Sequence, residues 1–364
     1  MKKELADVVP HLKRLLPGFR KLRVAVVGDL MLDRYLWGTA RRLSPEAAVP
    51  VVDFASQTDC LGGAGNVAAN LAALGAQVQV FGVVGGKEIS VNKLANDEAG
   101  AALRACLRRA KIGERGVLAD PERITTVKTR IIARHQQIVR IDHERRDALA
   151  AQSEEKLFRP LVASLKTIDA LLLSDYDKGL ITDAFAERVL NACHKFRVPV
   201  FVKPNTSRLF AYRGARVIVC NTQEAGFYVT RSLNDEKSLE EAGRALLARF
   251  GSAAVVITRG EKGMSVFEES SPRYLTIPAT SFEVTYARVG QPGVERKGSG
   301  RQVFDVTGAG DTVLSALSLA VAAGASLPEA AYLANTAAGV VVGKLGTATV
   351  NPAELAAALD ETRS

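Results

Sequence analysis

Short, continuous apolar runs alternate along this chain with longer stretches whose apolar residues recur three and four positions apart. The runs at 24–27, 78–84, 170–173, 198–202, 217–219 and 255–257 read as strands buried on both faces. The helical stretches between them fall at 65–74, 98–110, 154–165, 183–194 and 239–249. This alternation predicts an α/β protein with a mainly parallel central sheet covered by helices on both sides. Two segments break the rhythm: 49–54, and the pair 124–133 and 138–142 joined through Arg134, His135, Gln136 and Gln137. Both read as strands outside the main sheet, the second as a hairpin, and together they suit a small β lid. A last apolar helix, carrying Leu314, Leu317, Leu319 and Val321, follows the string DVTGAGD at 305–311 and stops at Gly324.

With 364 residues and 47% hydrophobic content, the chain can bury the core of one large domain or two ordinary ones. No internal repeat or low-complexity linker divides it. The formal charge of +9 admits nucleic acid, an anionic membrane surface or phosphorylated small molecules as partners. Lys2, Lys3, Lys13, Arg14, Arg20, Lys21 and Arg23 are interrupted by Leu12, Leu15 and Leu16, so an amphipathic lead-in helix accounts for the N-terminal cluster. Aromatic residues make up only 6%, and no RNA- or DNA-binding motif is present, which argues against a nucleic-acid partner. The absence of a signal peptide and of an apolar run of about 18 residues argues against membrane insertion, and a cytoplasmic location is expected. Cys60, Cys106, Cys193 and Cys220 form no C-x-x-C pair and read as free thiols.

Two glycine loops carry the candidate chemistry. Gly308, Ala309 and Gly310 sit at a helix start, where unpaired N–H groups and the helix dipole favour an anion such as phosphate. Asp311 then adds a negative charge where the phosphate would lie. It reads either as an ordinary helix cap or as a proton acceptor. The second loop, Gly62-Gly63-Ala64-Gly65-Asn66, opens another helix. Its stretch Gly63 to Ala68 formally satisfies the G-x-G-x-x-A dinucleotide fingerprint of a nucleotide-dependent oxidoreductase. That fingerprint belongs directly after the first strand with an acid about 20 residues on, and here Gln57 to Leu61 intervenes. No P-loop occurs; the nearest approach has Ala338 and Leu345 where Gly and Ser or Thr are required. Asn221-Thr222-Gln223-Glu224 could cap a helix or order a hydrated magnesium ion. Thr258-Arg259-Gly260-Glu261-Lys262-Gly263 follows an apolar strand.

Taken in order, DVTGAGD, Gly62-Gly63 with Asn66, Asn221 to Glu224 and Thr258 to Gly263 resemble the ribokinase-like (PfkB) family of sugar kinases, from about residue 22 to 350. The resemblance implies a three-layer α/β/α kinase domain over 22–350 with lid segments at about 34–56 and 122–142. The lead-in would occupy 1–21 and a C-terminal helix or tail 351–364. It implies Asp311 as catalytic base and Gly308, Ala309 and Gly310 as the anion hole. Asp33, Gly62, Gly63 and Asn66 would hold the sugar. Asn221, Glu224, Thr258, Arg259, Gly260, Gly263 and Asn335 would hold ATP, with Glu224 reaching Mg2+ through water and a monovalent cation as a further ligand.

The longer N-terminal signature from Gly28 to Val52, with Arg134, Gln136, Gln137, Arg140 and Ser174 to Gly179, resembles the branch of that family acting on D-glycero-β-D-manno-heptose 7-phosphate in lipopolysaccharide core biosynthesis. Such a phosphorylated sugar needs fixed cations at its non-reacting end, and Arg34, Arg134 and Lys178, with Gln137, are the candidates. In that branch a nucleotidyltransferase domain is often fused downstream. Only a short tail follows residue 350, so a free-standing kinase is expected, its product passing to a separate phosphatase and nucleotidyltransferase. Dimerisation through the lid is a further implication. Other phosphosugar kinases, 6-phosphofructokinase-like or ribokinase-like, and a non-catalytic sugar sensor remain open alternatives. The chain departs from the family pattern at Lys203-Pro204-Asn205, where Asp-Pro-Lys is common, and by extra residues at 85–96 and 282–300.

Overall fold

The computed structural model describes residues 2–90, 93–134, 136–208, 211–279, 306–344 and 346–361. Helix α1 (Lys2–Leu15) and a 3-10 turn at Leu16–Lys21 bury Leu12, Leu16 and Phe19, the apolar face expected of the lead-in. Strand β1 (Arg23–Gly28) leads into two long strands, β2 (Leu30–Leu43) and β3 (Pro50–Gly63), and helix α2 (Ala64–Ala73). Next come β4 (Gln77–Ser90), β5 (Lys93–Asn96), α3 (Glu98–Arg109), β6 (Gly113–Asp120), β7 (Thr126–Ala133) and β8 (Gln136–His143). The strand and helix rhythm resumes with α4 (Ala151–Ser164), β9 (Ala170–Ser174), α5 (Asp183–Phe196), β10 (Val200–Lys203), β11 (Val217–Asn221), α6 (Thr222–Tyr228), α7 (Glu236–Phe250) and β12 (Ala254–Thr258). Strands β13 (Met264–Glu268) and β14 (Leu275–Ile277) precede α8 (Ala309–Ala322), α9 (Leu327–Val341) and α10 (Pro352–Glu361).

The main sheet runs β14-β13-β12-β11-β10-β9-β1-β4, with β5 and β6 both paired to β4. Its centre from β12 to β6 is parallel, while β13, β14 and β5 add antiparallel edges. Alternation along the buried strands divides the core in two. Val24, Val26, Ala170 and Leu172 face one cluster with α2, α8 and α9, whereas Ala25, Val27, Leu171 and Leu173 face the other with α4, α5 and α7. Helix starts follow local chemistry: Asp97, Thr182 and Asp235 each accept a backbone N–H three residues on.

The second sheet, β3-β2-β7-β8, is the expected lid. The hairpin at 124–142 is present as β7 and β8, turning at Arg134 with φ +49°. The lid's other half is larger than the sequence pattern indicated. After Asp29 the chain enters β2 at once, and the segment expected at 49–54 falls at the start of the 14-residue strand β3. Leu30, Met31 and Leu32 are all buried where β2 leaves the core, which hides the period of two that marks a one-sided strand. The extra residues at 85–96 extend β4 and return along β5. The antiparallel edge β13-β14 was not anticipated from the apolar runs. Asp305 and the long approach at 282–300 lie outside the described residues. The four cysteines are free, as expected.

Candidate active site

Three parallel strands end at one level, because Gly28 and Lys203 both pair with Ser174. The residues that follow them therefore emerge together at the carboxyl edge of the sheet, where open α/β folds place ligands. Helix α8 begins at the same place. Gly308 precedes it with φ +83°, and a Cβ there would lie 2.7 Å from Asn66 Nδ2, so this corner accepts only glycine. Asp311 is buried in the first turn. Its Oδ1 accepts from the Tyr176 hydroxyl at 2.6 Å and from Lys203 Nζ at 2.8 Å, while Oδ2 accepts from Asn66 Nδ2 at 2.8 Å. Asp311 does not cap its own helix, since no side-chain cap closes α8. Burial works against the Lys203 ammonium, but the Asp311 carboxylate and the Tyr176 oxygen outweigh it and raise the lysine above its ordinary range. Burial and Asp311 together push the Tyr176 hydroxyl up, so it stays protonated and donates.

Gly308, Ala309 and Gly310, the residues expected to form an anion hole, occupy this turn. The Ala309 amide closes onto Val306 O and the Asp311 amide onto Gly308 O, leaving the Gly310 amide outside these bonds. The cradle is thus narrower than a row of three outward amides. The reason is that the first turn is tightened by its own short-range bonds.

Tyr176 and Lys178 ride on a loop fixed from beneath. Asp29 accepts the Tyr176 and Lys178 amides on Oδ2 and the Leu180 amide on Oδ1. Burial, then the neighbouring Asp175, push the Asp29 carboxyl up to about 6 despite those three bonds. The folded chain therefore retains a proton that the unfolded chain releases near pH 3.8, and this group's contribution to stability falls as pH rises from about 4 through 6. Denaturant unfolding should show the wild type losing about 2 kcal/mol relative to Asp29→Asn between pH 4 and pH 7. A pH-independent gap would contradict this.

On the sugar side, the Asp33 carboxylate is buried and accepts from Arg130 Nη1 at 2.6 Å. A Cβ on Gly62 would lie 2.5 Å from Asp33 Oδ2, so the glycine turn is what lets the carboxylate sit against β3. Gly63 caps α2, whose first turn presents Asn66 to Asp311. Lys128 pairs in register with Asp33 and shares its face with Arg130. Lys178 Nζ meets Glu144 Oε1 at 3.0 Å, and Lys128 Nζ reaches Glu144 Oε2 at 3.4 Å. Against partial burial, Lys178, Arg146 and Lys128 hold the Glu144 carboxyl below its ordinary range.

Not every expected sugar residue joins this group. Arg34 follows Asp33 on β2 and so faces the other side of the lid, where it forms a two-pronged pair with Asp59 at 2.9 and 3.1 Å. Arg134 lies at the exposed hairpin turn and Gln137 on the exposed strand β8, several residues beyond the register of Asp33. Lys128, Arg130, Asp29 and Tyr176 were not assigned from sequence. Their one legible signal is position, at strand ends or two apart on a lid strand.

At the nucleotide side, Asn221 and Glu224 form a reciprocal capping box on α6, at 2.8 Å in both directions. Thr258 ends β12 beside Asn221. Arg259 is committed to Glu236 and to Ser265 Oγ, Gly260 starts a 3-10 turn, and Gly263 closes it with φ +81°. Asn335 is buried on α9 and donates to Pro278 O at 2.8 Å. Among the described residues no cluster of three or more His, Cys, Asp or Glu side chains could hold a metal by itself. A hydrated magnesium carried in with phosphates needs as little as one carboxylate, and Glu224 is the residue here that could supply it. Among the described residues no helix is long and apolar enough to cross a membrane.

A buried carboxylate at a glycine-rich helix start thus faces a β lid across the carboxyl edge of a mostly parallel sheet. A family model described as "pfkB family carbohydrate kinase" matches residues 21–354, and the chain belongs to that family. It is 43% identical over 347 residues to a protein named bifunctional protein HldE from Geotalea uraniireducens, covering 95% of this chain and 65% of that one. It is 44% identical over 336 residues to the protein of the same name from Citrifermentans bemidjiense, covering 92% and 63%. The chain thus spans a little under two thirds of the length of these relatives. Among solved structures it resembles Arabidopsis thaliana ribokinase complexed with ribose and ATP, with TM-score 0.68, 18% identity and coverage of 93% and 98%. Phosphofructokinase-2 from Escherichia coli aligns with TM-score 0.70 at 17% identity, covering 93% and 99%. The fold is ribokinase-like, and the protein is a carbohydrate kinase that phosphorylates a hydroxyl group.

Proposed function

We propose that this kinase transfers the γ-phosphoryl group of ATP to the anomeric hydroxyl of D-glycero-β-D-manno-heptose 7-phosphate, giving the 1,7-bisphosphate. The observation that carries the chemistry is the Asp311 carboxylate, held by Asn66 from the sugar-side helix on one oxygen and by Tyr176 and Lys203 on the other. Oδ1 is doubly occupied, so Oδ2, with its single donor, is the oxygen that takes the hydroxyl proton. Asp33 and Asn66 orient the sugar, and the Gly310 amide faces the phosphoryl oxygens. Magnesium, when bound with ATP, neutralises charge on the β and γ phosphates, and Glu224 is the residue that would hold it through water. The lid excludes water that would otherwise hydrolyse ATP.

The heptose phosphate is supported by the signature from Gly28 to Val52 and by the cations beside Asp33. Lys178 is held by the Glu144 carboxylate and Lys128 by Asp142 at 3.0 Å and Glu144 at 3.4 Å, and the phosphate of the substrate would replace Glu144 between the two lysines. Lys178→Ala should raise KM for the sugar phosphate at least about tenfold, as expected for a lost charged hydrogen bond, with KM for ATP unchanged. Equal changes in both constants would remove Lys178 from the phosphate site. Leu43, Phe54, Val139 and Ile141 leave apolar surface exposed on the lid, which supports pairing of two copies there. The reading places the enzyme in the cytoplasm, where ATP is available, with phosphatase and nucleotidyltransferase reactions consuming its product.

A further inference from the structure

Lys203 stands where the family pattern commonly has an aspartate, and nothing in the motif logic gives it a task. We propose that Lys203 is a second charged catalytic residue, whose ammonium contacts the phosphoryl group in transfer while it anchors Asp311. The inference rests on the reading of Asp311 as the base. Lys203 is the last residue of β10, level with Ser174 and Gly28, so its side chain enters the centre from a rigid strand rather than a loop. Its Nζ lies 2.8 Å from Asp311 Oδ1 and 2.9 Å from the Tyr176 oxygen, and 4.7 Å from the Tyr176 ring centre. An ammonium has three N–H donors. Two are used by these oxygens, and the third remains for an incoming acceptor. The place of that acceptor is indicated by Gly310: a Cβ built there would have Lys203 Nζ as its nearest neighbour, at 3.6 Å. The cation therefore borders the first turn of α8, where the Ala309 and Asp311 amides are closed by short-range bonds and the Gly310 amide lies outside them.

In the reaction the bond from the γ phosphorus to the β–γ bridging oxygen breaks and its electron pair leaves with ADP. The anomeric oxygen bonds to the phosphorus, and its proton passes to Asp311 Oδ2. Charge on the three peripheral phosphoryl oxygens is shared among donors. Lys203 is one of them, fixed before the substrate arrives and so requiring no reorganisation. The same ammonium holds Oδ1, which keeps Oδ2 turned toward Asn66 and the sugar.

The test is steady-state kinetics on the full chain for Lys203→Met, Lys203→Gln and Lys203→Arg, with Asp311→Asn measured alongside and melting followed for each. The expected result for Met and Gln is a fall in kcat of at least about 100-fold, with both KM values within about threefold of wild type. Arg should recover about tenfold of that loss. In the Asp311→Asn background, Lys203→Met should cost far less than it does alone, because the two residues act as a unit. The proposal is overturned if folded Lys203→Met or Lys203→Gln keeps kcat within about threefold of wild type, if the loss appears only in KM, or if Arg is as slow as Met. If Asp311→Asn itself turns over normally, the base reading fails instead. The Lys203 series still reports separately whether a cation at this position matters.

Discussion

Asp311→Asn should lower kcat by about 10²- to 10⁴-fold while ATP and the sugar phosphate still bind, the range expected for loss of a positioned general base. The amide keeps the size of the carboxylate and an oxygen that can still accept from Tyr176 and Lys203, while its NH2 then meets the Asn66 amide donor, so that one bond is lost unless Asn66 flips. What it loses is the capacity to take a proton. The effect should therefore appear in kcat, with dissociation constants measured by calorimetry close to those of the wild type. A second consequence falls on stability. Lys203 stays charged in its half-buried site because Asp311 and Tyr176 outweigh its burial, and Asn removes the larger of the two. The variant should melt lower, and turnover must be compared well below its melting temperature. Near-wild-type turnover in the folded variant would take Asp311 out of the base role.

Arg208→Met should destabilise the fold by about 3–5 kcal/mol, the largest stability loss expected from a single change outside the hydrophobic core. The Asp175 side chain is fully buried at the start of the loop that carries Tyr176 and Lys178. Burial pushes its carboxyl up, and the opposing influences are the Tyr212 hydroxyl, the Asp177 amide and the Arg208 guanidinium. Arg208 Nε donates to Asp175 Oδ2 at 2.9 Å, and its Nη2 reaches Asp177 Oδ1 at 3.2 Å. Methionine conserves the apolar stem but leaves a buried carboxylate without its cation. Urea unfolding gives the magnitude directly. A change below about 1 kcal/mol would show that Tyr212 and the Asp177 amide suffice. Because the loop also places Tyr176 against Asp311, the variant should lose activity in addition to stability.

The main sheet was legible because β1, β9, β11 and β12 are buried on both faces and stand out as unbroken apolar runs. The candidate base was legible because DVTGAGD combines a glycine corner, a helix start and a carboxylate that no anion site would otherwise keep. The lid was read only in part, since the root of β2 is as apolar as a core strand and its outer half is polar and exposed. The cations around Asp33 were the least legible. Lys128 and Arg130 gain meaning only from register with Asp33 across β2 and β7, a pairing between residues nearly a hundred positions apart. Arg34 illustrates the converse: next to Asp33 in sequence, it is turned by the pleat to Asp59. Tyr176 and Lys203 meet Asp311 only because three strands end at one level, which no local pattern announces.

The central claim is tested most directly by supplying the protein with ATP, Mg2+ and a panel of seven-, six- and five-carbon sugars, each with and without a terminal phosphate, and assigning the products by phosphorus NMR. The account predicts highest kcat/KM for D-glycero-β-D-manno-heptose 7-phosphate, with the new phosphate on the anomeric oxygen. Preference for an unphosphorylated sugar, or phosphate delivered to any other hydroxyl, would contradict it.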